Sequence, residues 1–215
     1  MIITVSGLAG AGKDTLADVL VKKHNFRKIS LADSLREICS EVFDIPMSDF
    51  LDRDKKDSPM SERLAPTISQ VTELIQIANI RAENPDKQII FPSNVNDVIL
   101  VTPRDVLKWA GTEIIRKYCG GDIWIKIAVQ KASKLSQHCI IPDVRFQNER
   151  DYFKDKATMI LVKRPDFPVI DPSENTGQDL EYNVIFSNDK GVQEFQASVD
   201  LWFSLKRDVL FYGTK

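Results

Sequence analysis

An apolar run, Ile2-Ile3-Thr4-Val5, leads straight into Gly7-Leu8-Ala9-Gly10-Ala11-Gly12-Lys13-Asp14-Thr15, and a helical pattern follows. Glycine adopts backbone conformations closed to other residues, so such a stretch can curl until its N–H groups converge at a helix N-terminus, where an anion is favoured. Gly7 and Gly12-Lys13 have the spacing of a phosphate-binding loop, and the lysine is long enough to reach the outer phosphates. A plain glycine-rich turn is the alternative, and it gives no reason for the lysine. The expected nucleotide ligands are therefore Gly10, Ala11, Gly12, Lys13, Asp14 and Thr15. Strand, loop and helix in that order also open an α/β sheet.

The loop departs from the commonest pattern at one place. A Ser or Thr usually follows the lysine and offers its hydroxyl to magnesium; here Asp14 stands there, with Thr15 next. A carboxylate can join a magnesium site directly or through water. It also adds negative charge beside a triphosphate, so something nearby must offset it. Small-molecule kinases dispense with the hydroxyl more readily than motor or signalling proteins, which points toward a metabolite or nucleotide kinase.

At 215 residues the chain fits one domain with a full core. A hydrophobic share of 43% with 28% charged residues argues against disorder and against a membrane protein. The balance of 29 basic and 31 acidic residues leaves no cationic surplus for a nucleic-acid polymer. Cys39, Cys119 and Cys139 are few, odd in number and widely spaced, as in a reduced cytosolic protein. His24 and His138 are the only histidines, too few for a histidine-based metal site. Met1 to Gly12 lacks a basic leading segment and is broken by glycines, unlike a secretory signal. The expected setting is the cytoplasm, the host's if the protein is viral, with no membrane partner.

Along the chain, apolar periodicity predicts a helix over 15–23 with Leu16, Val19 and Leu20 inward, a strand over 26–31 and a helix over 33–43. Residues 44–101 carry five prolines (Pro46, Pro59, Pro66, Pro85, Pro92) and read as a lid-like insertion. Within it, a helix is predicted over 67–82 and a small hairpin pairing 89–91 with 98–101. Thr102-Pro103-Arg104-Asp105 is a helix start, with Thr102 as cap and Asp105 closing a capping box. That helix should reach about Tyr118, where Gly120-Gly121 break it. A helix over 122–135, a strand over 138–142, a helix over 148–154, strands over 158–163 and 183–186 and a last helix from 191 to about 209 complete the pattern. Strands alternating with helices imply a mostly parallel sheet, with ligands at its carboxyl edge.

Several side chains stand where chemistry is expected. At roughly 100° per residue, Arg104, Lys108, Gly111 and Ile115 fall within about 60° of one another, with Thr112 at the border. Two cations, a glycine and a hydroxyl suit a phosphorylated substrate; a solvated charged stripe is the alternative, and it leaves the glycine unexplained. Asp143 ends an apolar strand, the place where an acid holds magnesium through its waters, and Arg145 follows with a fork suited to phosphate. The alternative there is a turn with a surface ion pair. Glu149 opens the next helix, where the helix dipole alone favours a carboxylate. Ala32-Asp33-Ser34-Leu35-Arg36, after the second strand, is similar to the place where nucleoside monophosphate kinases often carry an arginine that grips the acceptor phosphate, which makes Arg36 a candidate. Trp124 either stacks on a base or belongs to the core with Ile123, Ile125 and Ile127.

Four segments in order resemble the deoxynucleoside monophosphate kinase family, best known from bacteriophages. They are Gly12-Lys13-Asp14-Thr15, Thr102-Pro103-Arg104 through Trp109-Ala110-Gly111-Thr112-Glu113, Asp122-Ile123-Trp124, and Asp143-Val144-Arg145-Phe146-Gln147-Asn148-Glu149. The last is the most specific. Arg164-Pro165 and Ser173-Glu174 resemble later signals, but the family's histidine before the Ser-Glu pair is missing, and residues 44–101 match poorly. The resemblance implies a P-loop NTPase-type α/β fold of the nucleoside monophosphate kinase kind. It implies transfer of the terminal phosphoryl group of ATP to a deoxynucleoside monophosphate with Mg2+, and a homodimer. Lys13, Asp14 and Thr15 would then serve the triphosphate and metal, with Asp14 and Asp143 at the metal and Lys13, Asp143 and Arg145 at the reacting centre. Arg36, Arg104, Lys108, Gly111, Thr112, Trp124, Asp143, Arg145 and Glu149 would line the acceptor site. An anionic acceptor oxygen needs no strong base, which fits a chain poor in histidine. The rivals are a P-loop kinase of the dephospho-coenzyme A or phosphomevalonate type and a nucleotide-switched binding protein. The second lacks the Asn-Lys-x-Asp and Asp-x-x-Gly motifs such proteins carry.

Overall fold

A computed structural model describes residues 1–84, 92, 95, 98–165 and 181–212. The chain divides into two compact units, Met1–Ser30 with Lys131–Lys215, and Leu31–Gln130.

The first unit is built on a five-stranded parallel sheet of order β2-β3-β1-β4-β5. Its strands are β1 (Ile2–Ser6), β2 (Arg27–Lys28), β3 (Cys139–Ile141), β4 (Thr158–Lys163) and β5 (Val184–Ser187). β1 is central, with Ile3 opposite Ile140 of β3 and Thr158 of β4. The sheet is buried on both faces: Ile3, Val5, Ile140, Ile160 and Val162 share one, and Ile141, Met159 and Leu161 lie on the other beside the buried Thr4 and Ser6. The flanking helices of this unit are α1 (Lys13–His24), α9 (Gln147–Phe153) and α10 (Val192–Tyr212). Leu16, Val19 and Leu20 of α1 meet Phe195, Val199 and Phe203 of α10 in one hydrophobic cluster with the sheet. Asn25 ends α1 in the left-handed conformation and its N–H bonds the Leu20 carbonyl, a regular helix stop.

The second unit is helical among its described residues: α2 (Leu31–Phe43), α3 (Met47–Leu51), α4 (Arg53–Asp57), α5 (Ile68–Arg81), α6 (Pro103–Lys108), a π-helical segment (Trp109–Arg116), α7 (Lys117–Cys119) and α8 (Ile123–Ser133), the last running into the first unit. Thr67 caps α5 and Thr102 caps α6, each through a complete capping box, the second closed by Asp105 as its spacing predicts. Val71, Leu74, Ile75 and Ala78 of α5 are fully buried. Gly120, at φ +107°, stops the helix that began at Pro103.

Two expectations are corrected. The strand predicted over 26–31 is only Arg27–Lys28, because β2 is an edge strand bonded to β3 alone and α2 already starts at Leu31. The hairpin predicted to pair 89–91 with 98–101 falls on residues 89–91, which lie outside the described residues; Leu100 bridges Leu64 antiparallel, with both N–H···O bonds at 2.9 Å. The helix after Thr102 is not α-helical throughout, since Trp109–Arg116 is wound with the wider i→i+5 ladder.

Phe203 is 1% exposed and meets Phe26 edge-on at 5.2 Å. Phe203→Ala should lower the unfolding free energy of the first unit by about 3–5 kcal/mol, read from urea denaturation.

Candidate active site

The loop between β1 and α1 turns on glycines whose geometry excludes a side chain. Gly7 has φ +143°, and a Cβ there would lie 2.3 Å from the carbonyl oxygen of Val162. Gly12 has φ +113°, and its Cβ would meet Asn188 Nδ2 at 2.6 Å and Phe195 at 3.3 Å. The loop is closed by the Ala11 N–H donating to Leu8 O and is followed by the first turn of α1, where Leu16 N–H donates to Gly12 O. Lys13 Nζ donates to the carbonyls of Gly7 at 2.6 Å and Leu8 at 2.7 Å, which anchors the ammonium on the loop itself. A fixed cation beside the N-terminus of a 12-residue helix suits an anion by both charge and hydrogen bonding.

The carboxyl ends of the other strands surround this loop. Ser6, the last residue of β1, donates its hydroxyl to the Val144 carbonyl at 3.1 Å, tying the start of the loop to the turn that carries Asp143. Asp143 Oδ2 accepts from Ser30 Oγ at 2.5 Å. Asn188, just past β5, donates from Nδ2 to Ala11 O at 2.7 Å, and Arg164, just past β4, donates to Gly10 O at 3.3 Å. Arg164, Pro165, Asn188, Asp189, Gly191 and Val192 line a cavity of about 340 Å³ beside the loop. Asn188 escaped the sequence reading, although its place at the carboxyl end of a parallel strand is the signal that finds it.

Asp14 is 81% exposed at the side chain, and Lys28 of β2 donates to its Oδ1 at 2.6 Å. The offsetting charge expected for this loop is therefore Lys28, which nothing in the motif pattern singles out. Thr15 is half-buried in the first turn of α1.

Arg145 is exposed, while Glu149, four residues on, is buried at 2%. Glu149 Oε2 accepts from the backbone N–H groups of Arg145 at 2.8 Å and Phe146 at 3.1 Å. Arg150, also 2% exposed, donates to the Arg145 carbonyl. In these contacts Glu149 fixes the backbone from which Arg145 projects, as well as sitting at the N-terminus of α9.

In the second unit, Arg36 Nη1 donates to Asp33 Oδ1 at 2.6 Å, one turn back on α2. Arg104 is held as a fork by Asp57 of α4, through Nε to Oδ1 and Nη2 to Oδ2. That bond from Arg104 keeps the Asp57 carboxyl below the usual carboxylate range. The stripe predicted for this helix divides. Arg104, Lys108 and Thr112 are exposed, but Gly111 and Ile115 are buried. The π winding breaks the 100° periodicity, and Gly111 faces Leu35 of α2, whose Cδ2 would lie 2.8 Å from an added Cβ. Close helix packing is thus the reason for the glycine. Trp124 is 4% exposed, buried alongside Ile123, Ile125 and Ile127.

The donor chemistry suits a magnesium ion that keeps waters and takes phosphate oxygens, since that ion needs only one or two protein carboxylates. Asp14 and Asp143 are carboxylates of the kind such an ion would take, and no cluster of three or more His, Cys, Asp or Glu side chains able to hold a metal occurs among the described residues. No described helix is long and apolar enough to cross a membrane.

No family model matches the chain. It is similar to a protein of Acanthamoeba polyphaga mimivirus named "Putative deoxynucleotide monophosphate kinase", 26% identical over 93% of this chain and 94% of that protein. That likeness, nearly end to end, supports the family resemblance drawn from the four motif segments, and the parallel sheet with flanking helices is consistent with a nucleoside monophosphate kinase-like P-loop fold.

Glu149→Ala removes the acceptor for two backbone N–H groups. It should cost about 1–3 kcal/mol in chemical denaturation and speed amide exchange at Arg145 and Phe146 more than in β1.

Proposed function

We propose that the chain transfers the terminal phosphoryl group of ATP to a deoxynucleoside monophosphate. The observation that carries this reading is the joining of two phosphate-handling elements at neighbouring strand ends. The Lys13 loop leaves β1, Asp143 and Arg145 follow β3, and Ser6 bonds across to Val144. The near full-length likeness to a viral protein of that name supports it.

In this reading the loop amides and Lys13 bind the donor's outer phosphates, and the remainder of the donor nucleotide extends into the cavity beside Arg164 and Asn188. Asp143, oriented by Ser30, and Asp14 hold Mg2+, which when bound neutralises charge on the triphosphate. Arg145 places a guanidinium on the transferring group, and Glu149 positions it. Arg36, Arg104, Lys108 and Thr112 of the second unit serve the acceptor, with Asp57 displaced from Arg104 by the acceptor phosphate. The attacking atom is an anionic phosphate oxygen, so alignment and charge neutralisation account for the rate without a general base.

The test is an acceptor panel of four deoxynucleoside monophosphates, their ribose counterparts, dephospho-coenzyme A and phosphomevalonate, each with ATP and Mg2+ in a coupled ADP-release assay. Turnover should require a nucleoside monophosphate, with the deoxy forms preferred. ADP release without any acceptor would favour a nucleotide-switched binding protein instead.

Lys13→Ala and Arg145→Ala should each lower kcat/KM by about 100-fold or more, with thermal midpoints near that of the parent. Near-parental rates in either variant would remove that residue from the mechanism.

A further inference from the structure

The segment after α1 reaches both carboxylates of the donor site. Lys28, in β2, donates to Asp14 Oδ1 at 2.6 Å and lies 4.0 Å from Asp18 Oδ1. Ser30, two residues on, donates to Asp143 Oδ2 at 2.5 Å. Their backbone is firmly seated. Arg27 N–H donates to His138 O and Ile29 N–H to Ile140 O, while Phe26 and Ile29 are buried at 2% and 6%. Lys28 is thus presented by a pinned strand and not by a loose loop.

The charges explain why a cation is needed there. Asp14 and Asp18 lie one helical turn apart on α1 and place two negative charges within a turn and a half of the anion-binding end of that helix. Lys13 alone cannot balance both. A loop with a hydroxyl after its lysine has no such excess, whereas this one carries a carboxylate where the triphosphate arrives.

We propose that Lys28 is a positioning residue of the donor site: it offsets the charge of Asp14 and holds its carboxylate in one place, so that a loop lacking the usual hydroxyl accepts a nucleoside triphosphate. Lys28 acts through Asp14 and does not itself touch the nucleotide. This rests on the donor-site reading above and adds to it a residue from outside the motif.

The experiment is calorimetric titration of ATP, with and without Mg2+, into the parent chain and into Lys28→Met, Lys28→Arg, Asp14→Asn and the Lys28→Met/Asp14→Asn double variant. Lys28→Met should weaken binding by about tenfold, the scale of one uncompensated charge near a protein surface, and Lys28→Arg should restore most of it. In the Asp14→Asn background, Lys28→Met should change binding by less than about twofold, because no carboxylate then remains at that position to neutralise. Thermal midpoints without nucleotide should barely move, since an exposed pair adds little to stability.

Two results overturn the proposal: no loss in Lys28→Met, or an equal loss whether or not Asp14 carries its charge. The second would place Lys28 on the nucleotide itself or in the fold. A parent chain that binds no ATP would remove the donor-site reading and this inference together, whereas ATP binding indifferent to Lys28 removes the inference alone.

Discussion

The backbone of Gly7 runs against the backbone of Val162 so closely that a single added carbon would sit 2.3 Å from the carbonyl oxygen. This approach lets the chain leave β1 and turn over β4 immediately, instead of bulging away from the sheet. A second close contact, Gly12 against Asn188 and Phe195, sets where the loop ends and α1 begins. Between them Lys13 is fastened to the loop carbonyls of Gly7 and Leu8 at the head of the helix. An anion site of this kind depends on backbone held still, because the donors are peptide N–H groups that no rotamer change can re-aim.

The rest of the first unit serves to keep that backbone in place. Each of the parallel strands pairing with or beyond β1 sends a polar group back to it from its carboxyl end: the Val144 carbonyl after β3, Arg164 after β4 and Asn188 after β5. A parallel sheet makes this possible because all its strands finish on one edge. Two acids are likewise constrained, Asp14 by Lys28 and Asp143 by Ser30. Held carboxylates suit a hard cation that demands fixed oxygen ligands and keeps part of its water shell.

The second unit follows a different logic. Its organising feature is the helix from Pro103 to Cys119, which starts at a strong capping box, is π-wound through Trp109–Arg116 and stops at a glycine with positive φ. Where α2 crosses it, Gly111 makes room for Leu35. Arg104, near the start of that helix, is fixed by both oxygens of Asp57. The same paired N–H donors of a guanidinium fork can bind either a carboxylate or a phosphate, so the Asp57 contact shows the fork presented in a geometry that also suits a phosphate.

Much of this was legible along the chain because the interactions are local. A strand, a glycine loop and a lysine at fixed spacing are the pattern expected of a phosphate-binding loop. Capping boxes at Thr67 and Thr102, the apolar face of α5 and the apolar strands over 139–141 and 158–163 are likewise written in consecutive residues. What the sequence left undecided are relations between segments far apart. Only tertiary structure assigns Lys28 to Asp14, Ser30 to Asp143 and Asn188 to Ala11, because each pair is joined by packing across strands and not by spacing. It also decides that Gly111 and Ile115 are buried, since a change of helical winding rotates side chains away from any fixed angular count. The sequence by itself determined that a glycine loop and a lysine stand at the head of α1; tertiary packing determined which side chains contact that loop and its carboxylates, because that depends on distance in space and periodicity carries no record of it.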